Sequence, residues 1–140
     1  MIKIYTDGSC LKNPGPGGWA AVIIENDQKR IISGNEKNTT NNKMELLATI
    51  KALEEFSSKE NITIVTDSRY VKDGITNWIR KWEVNNWKTS NKQSVKNIDL
   101  WKKLSELNNK HIVDWTWVKG HSNDPLNDLV DQMAKKAAKI

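Results

Sequence analysis

A chain of 140 residues, 37% hydrophobic and 28% charged, is long enough to bury one core and too rich in apolar residues to be disordered, and no stretch approaches the ~18 apolar residues of a membrane span. A lone cysteine, Cys10, excludes an intramolecular disulfide, and residues 1–7 carry no basic leader before a long apolar run, so a soluble, unprocessed, cytoplasmic protein is expected. The net charge of +5 is concentrated in residues 78–103, where Arg80, Lys81, Lys88, Lys92, Lys96, Lys102 and Lys103 face only Glu83 and Asp99. A localised positive field suits a polyanionic partner, and a solvated lysine-rich surface is the plain alternative.

In chain order, residues 2–6 alternate apolar and polar as a strand does, and Asn13-Pro14-Gly15-Pro16-Gly17-Gly18 reads as a tight turn. Residues 19–25 and 29–33 then form a hairpin around Asn26-Asp27-Gln28. Leu46, Ile50, Leu53 and Phe56 recur at helical spacing and predict a helix over 42–57. Residues 62–66 are β-branched and short, as in a buried strand. Short helices are expected over 68–108, broken near Asn85-Asn86 and over 89–93, with a fifth strand over 112–118. The last helix starts at the N-cap Asp124 with Pro125 following, and its buried face is expected to be Leu126, Leu129, Val130, Met133 and Ala137. The whole reads as a single α/β domain over residues 1–140.

Asp7 and Asp67 each end a predicted strand, where open α/β sheets place their sites. If those strands are neighbours, the two carboxylates converge, repel each other, and call for a cation with oxygen-only ligands, which suits Mg²⁺ or Mn²⁺. Each Asp could instead cap the turn that follows it. Glu45 has capping-box spacing within Asn42-Lys43-Met44-Glu45. Asp131 lies about 130° from the centre of the apolar stripe predicted for the last helix, facing solvent or a cleft. His121, in the polar Lys119-Gly120-His121-Ser122 loop, is placed either as a mobile proton carrier or as a surface residue. His111 stands in no motif.

Taken together, four segments in order carry a resemblance: Tyr5-Thr6-Asp7-Gly8-Ser9 with Asn13-Pro14-Gly15-Pro16-Gly17-Gly18; Thr39-Thr40-Asn41-Asn42-Lys43-Met44-Glu45; Thr66-Asp67-Ser68; and Trp117-Val118-Lys119-Gly120-His121 followed by Asp131. The chain resembles the type 1 ribonucleases H of bacteria over essentially its whole length. The resemblance implies a ribonuclease H-like fold, a five-stranded mixed sheet flanked by helices. It also implies an endonuclease that hydrolyses the RNA strand of an RNA–DNA hybrid with two Mg²⁺ ions (Mn²⁺ able to substitute), leaving 5′-phosphate and 3′-hydroxyl ends. Asp7, Glu45, Asp67 and Asp131 are then the metal-binding acids, and His121 assists proton transfer or product release. Asn13, Asn41 and Arg69 fall where the family touches the hybrid near its minor groove, and Thr40 where it holds a DNA phosphate. Residues 78–96 match the family's basic handle, with Trp78, Lys88, Lys92 and Lys96 as contacts and Trp78, Trp82 and Trp87 as its aromatic framework, their main role being packing. A monomer with no membrane partner is expected.

This chain departs from the pattern in two places. Glu83-Val84-Asn85-Asn86 stands where many bacterial relatives have a basic cluster with glycine, and Arg69 where glutamine is common. No additional amino-terminal hybrid-binding domain is expected. Two competing readings are a hybrid-binding module without catalysis, disfavoured by the complete acidic set, and a nuclease of the same superfamily acting on another substrate, such as an integrase or a Holliday-junction resolvase.

Overall fold

The computed structural model describes residues 1–120 and 124–140. Strands β1 (Ile2–Cys10), β2 (Gly15–Glu25) and β3 (Gln28–Thr39) form an antiparallel meander, and α1 (Asn41–Leu53) crosses to β4 (Asn61–Thr66). Helix α2 (Arg69–Asp73) runs through a π-helical turn, Gly74–Trp78, into α3 (Ile79–Val84); α4 (Ile98–Lys110), β5 (Ile112–Trp117) and α5 (Pro125–Ala138) follow. The sheet order is β3-β2-β1-β4-β5, with β4 parallel to β1 and β5 parallel to β4. This is the five-stranded mixed sheet that the motifs implied.

The central strands bury both faces, and β2 accordingly reads as a nearly continuous apolar run from Trp19 to Ile24. Ile2 and Ile4 of β1, Ala21 and Ile23 of β2, and Ile62 and Ile64 of β4 pack with Leu46, Ile50 and Leu53 of α1 and Trp101 and Leu104 of α4. The alternate residues Tyr5, Ala20, Val22 and Val65 pack on the other face against Val130 and Ala134 of α5. The result is three layers: α1 to α4 on one side, the sheet, and α5 on the other.

Several boundaries differ from the sequence expectation, each for a physical reason. The hairpin turn is only Asn26-Asp27, both left-handed (φ 52° and 66°), and this two-residue turn matches the twist of the strands it joins, so Gln28 belongs to β3. The glycine-rich run is not a turn throughout, because β2 already begins at Gly15. Gly18 sits in the strand opposite Ser9, and a side chain there would collide with the α5 backbone at Ala134 and Ala138. Helix α1 starts one residue early, capped by Thr40, whose hydroxyl accepts from Lys43 N at 3.3 Å, and it ends at Leu53. Phe56 is nonetheless buried in the main cluster beyond the helix, which explains why the apolar pattern continues that far.

The start of α5 is as expected: Asp124 accepts from Leu126 N at 3.0 Å, and Pro125 opens the helix. Its buried face is as expected only in part, at Val130 and Ala137. Asn127, Val130, Ala134, Ala137 and Ala138 are buried, while Leu126, Leu129 and Met133 are only partly so. Close approach of the helix over Gly18 selects small residues at the contact. His111 also has a structural place: it is buried, and its Nδ1 accepts from Glu60 N at 3.0 Å, tying the end of α4 to the start of β4. Burial, then the neighbouring Lys110 charge, lowers its pKa.

Candidate active site

The parallel pairing of β1 with β4 ends at Thr6 opposite Thr66, so Asp7 and Asp67 emerge side by side where that pairing stops; β1 itself runs on to Cys10 against β2, so Asp7 lies within its strand and not at the end that its sequence suggested. Neither replaces the cap of the helix that follows β4: Ser68 does that, its hydroxyl accepting from Val71 N at 3.2 Å. Glu45 enters from α1. It is not the cap that its spacing suggested, because Thr40 occupies that position and Glu45 lies in the second turn. Its carboxylate instead crosses to β1, where Oε1 accepts from Gly8 N at 2.6 Å. Gly8 permits this approach, since any Cβ there would run into the α1 backbone at Met44 and Glu45.

One carboxylate oxygen from each of Asp7, Glu45 and Asp67 lies within 4.8 Å of the others. Asp7 is 4% exposed and Glu45 7%, so the like charges are not relieved by water. Burial first, then the charges of Glu45 and Asp67, push the Asp7 pKa far up; burial and then Asp67 push Glu45 up as well. Without a cation the cluster retains a proton that isolated carboxyls would lose at neutral pH. Asp131 approaches from α5 closely enough to add to the rise at Asp7, and it pairs with Lys135 at 3.1 Å. It sits about 70° from the centre of the buried stripe actually formed, flanking the sheet contact rather than facing away. Oxygen-only donors, converging and short of positive charge, fit a hard divalent cation.

Most of the other sequence-predicted residues lie in a cleft at the start of α1 or in the segment from the π-helical turn to α4. Asn13 Oδ1 accepts from Asn41 N at 3.1 Å, which joins the β1–β2 loop to the start of α1. Asn13, Thr40 and Asn41 line a cleft of about 520 Å³ with Lys43, Lys96 and Asn97, so one handle lysine reaches the same cleft as Thr40. Lys88 and Lys92 are exposed on the loop between α3 and α4, which an isolated bridge between Lys88 and Ser94 and the buried Val95 hold in place. Trp78 is 36% exposed and belongs to an aromatic cluster. Trp78, Trp82, Trp101 and Tyr70 close a ring of contacts and Trp87 branches from Trp82, with ring centroids 5.2–6.3 Å apart. Trp82 and Trp87 pack on the main core, the framework role expected of them. His121 lies outside the described residues; Gly120 before it lies against the Asp67 carboxylate.

Several participants are not legible from the sequence. Gly8 and Trp117 have no role there beyond their places in motifs, and Tyr70 and Trp101 stand in no motif. Trp117 Nε1 donates to the Asp67 carbonyl at 2.9 Å, and its ring lies under the Arg69 guanidinium at 4.2 Å. The one available signal is the tryptophan that opens the last motif, near the end of the fifth predicted strand.

Carboxylates gathered where two parallel strands stop pairing, on a chain that also carries a basic segment, define a metal-dependent nuclease. A family model described as RNase H matches residues 1–139. The ribonuclease H of Wolbachia pipientis wMel is 56% identical over 136 residues, covering 97% of this chain and 94% of the relative. That of Pseudoalteromonas atlantica (strain T6c / ATCC BAA-1087) is 53% identical over 137 residues, covering 98% and 90%. Among solved structures, LC9-RNase H1, a type 1 RNase H with the type 2 active-site motif, superposes with a TM-score of 0.89 at 31% identity, covering 99% of this chain and 72% of that one. The chain belongs to the ribonuclease H family, in its bacterial type 1 branch.

Proposed function

We propose that this protein hydrolyses the RNA strand of RNA–DNA hybrids by two-metal-ion phosphodiester cleavage, leaving 5′-phosphate and 3′-hydroxyl ends. The observation that carries this reading is the convergence of Asp7, Glu45 and Asp67 within 4.8 Å in a chain of this family. Asp7, Glu45, Asp67 and Asp131 would hold two Mg²⁺ ions, or Mn²⁺ in their place. When bound, such ions supply activation of the attacking water and charge stabilisation at the leaving 3′-oxygen. The protein's own part is to hold the carboxylates ready. Gly8 N–H fixes one Glu45 oxygen, and the proton retained by Asp7 and Glu45 leaves as the cluster is neutralised.

Substrate contacts follow the cleft. The Asn13 carbonyl is already used by Asn41 N–H, which leaves the Asn13 amide protons to donate outward. Asn13, Asn41 and Arg69 are assigned to the minor groove, where the 2′-hydroxyl separates RNA from DNA. Thr40 is assigned to a DNA phosphate, and Trp78, Lys88, Lys92 and Lys96 to the hybrid backbone. His121 is assigned to proton transfer or product release. Residues 1–140 act as one catalytic domain and as a monomer, since one chain supplies all four carboxylates. A cytoplasmic setting agrees with the single free Cys10; among the described residues no helix is long and apolar enough to cross a membrane.

The deciding experiment incubates labelled RNA–DNA hybrid, double-stranded RNA and double-stranded DNA separately with the protein and Mg²⁺. Cleavage confined to the RNA of the hybrid, with 5′-phosphate products and loss of activity in EDTA, is expected. Cutting of double-stranded DNA, or of nothing, would reject the reading.

A further inference from the structure

Arg69 and Trp117 form a unit that a minor-groove contact by Arg69 alone does not explain. Ser68 caps α2 and so fixes the backbone at Arg69, two residues beyond Asp67. The Arg69 side chain is exposed, and its guanidinium carbon stands 4.2 Å from the Trp117 ring centroid. Trp117 itself is held twice. Its backbone pairs in register opposite Thr66, and its Nε1–H donates to the Asp67 carbonyl at 2.9 Å. An unbroken series of contacts therefore runs from the Asp67 backbone through the indole to the cation.

A guanidinium free to move so close to buried carboxylates would fold onto them and compete with a metal ion. Among the described residues it forms no ion pair with any carboxylate. The Trp117 ring meets the guanidinium at its central carbon, and the planar fork of N–H donors that a guanidinium carries matches two phosphate oxygens. A neutral amide at this position would instead suit base edges. The chain also carries Glu83 where a more basic handle would be expected, so a cation beside the site offsets charge lost further away.

We propose that Trp117 is a positioning residue that holds Arg69 as a backbone-phosphate clamp at the rim of the carboxylate cluster. This rests on the hybrid-cleaving activity proposed above. It changes the Arg69 contact from the minor-groove edge to a phosphate.

The test measures binding of a short labelled RNA–DNA hybrid in EDTA across a salt series, with kcat and KM measured in parallel in Mg²⁺. The proteins are wild type, Arg69→Gln, Arg69→Lys, Trp117→Leu and the double variant Arg69→Gln/Trp117→Leu. Arg69→Gln is expected to flatten the slope of log K against log salt by about 0.9, the loss of one phosphate contact. Arg69→Lys keeps the slope but binds more weakly. Trp117→Leu weakens binding about two- to fivefold when Arg69 is present and adds nothing once Arg69 is Gln. An unchanged slope in Arg69→Gln overturns the phosphate assignment, and additive losses in the double variant overturn the positioning role. If Trp117→Leu does not fold, Trp117→Phe keeps a ring without its anchor, and a smaller loss with the same non-additivity is expected. A wild type that binds the hybrid but does not cut it in Mg²⁺ rejects the activity, while the salt slopes in EDTA still decide the Arg69 contact independently.

Discussion

Asp7 is held where an ionised carboxylate is least stable, buried and facing Glu45 and Asp67. Its folded pKa is raised above the ordinary 3.8, so the native state keeps a proton that the unfolded chain gives up. Wild-type stability therefore falls as pH rises above about 4, until the folded group titrates. Asp7→Asn removes that penalty. Without metal its Tm should exceed wild type by on the order of 5 °C near neutral pH, at about 3–4 °C per kcal/mol for this size. The gain should vanish near pH 4, where both states hold the proton. The same variant should lose at least 95% of cleavage, roughly 2 kcal/mol or more in the barrier, while binding survives, because affinity comes mostly from phosphate contacts. Differential scanning calorimetry over pH and a turnover assay check both halves. A lower metal-free Tm would make Asp7 a structural anchor.

At this scale the sequence is readable where chemistry follows from position on a strand. Asp7 and Asp67 end predicted strands; the topology supplies their adjacency and carries β1 past Asp7 to Cys10. Glu45 is hidden by a local pattern. Its spacing mimics a capping box, but Thr40 takes the cap, and a tertiary contact with Gly8 decides the carboxylate's direction. Trp117 is illegible because its role depends on strand register and on a stack across two elements.

Among the elements, the loop between α3 and α4 carries charge without belonging to the core. Lys88, Lys92 and Lys96 are exposed, whereas Val95 between them is buried and pins the loop. Replacing the three lysines with Ala should leave the fold intact. KM for hybrid should rise by about tenfold with kcat nearly unchanged, since roughly 0.5 kcal/mol per lost exposed contact, shared by ground and transition states, adds to about 1.5 kcal/mol. The salt dependence of binding should also flatten by up to about 2.7, at about 0.9 per contact. Steady-state kinetics at two ionic strengths suffice, and an unchanged KM would reduce the lysines to a solubility feature. Element types are predicted well because apolar period and β-branched composition act locally. Their ends are not. A glycine-rich run reads as a turn until α5 is known to pass over Gly18, and the buried stripe of α5 is set by that close approach rather than by its largest apolar residues.

For the molecule as a whole, the site exists only when distant parts of the chain are joined. Asp7 lies in the antiparallel meander, Glu45 in the crossover helix, and Asp67 beyond the parallel strand β4. Unfolding disperses the three, so a divalent cation should bind the native state alone and raise its stability, by about 2.7 kcal/mol at a hundredfold excess over Kd. Wild-type Tm should therefore climb with Mg²⁺ concentration, by roughly 8–10 °C at that excess, and Asp7→Asn should respond much less. Thermal scans in graded Mg²⁺ measure this directly, and a flat wild-type response would count against a native ion site at the carboxylates.

The direction of β1 has a practical corollary. The strand runs from Ile2 past Asp7 to Cys10, so exposed Met1 stands about 20 Å along it from Asp7 at ~3.3 Å per residue. A tether attached there leaves the molecule from its far side. Immobilised through its amino terminus on a bead or sensor chip, the protein would present the cleft to solution, and an affinity tag at that end need not be removed before the enzyme meets a long nucleic acid.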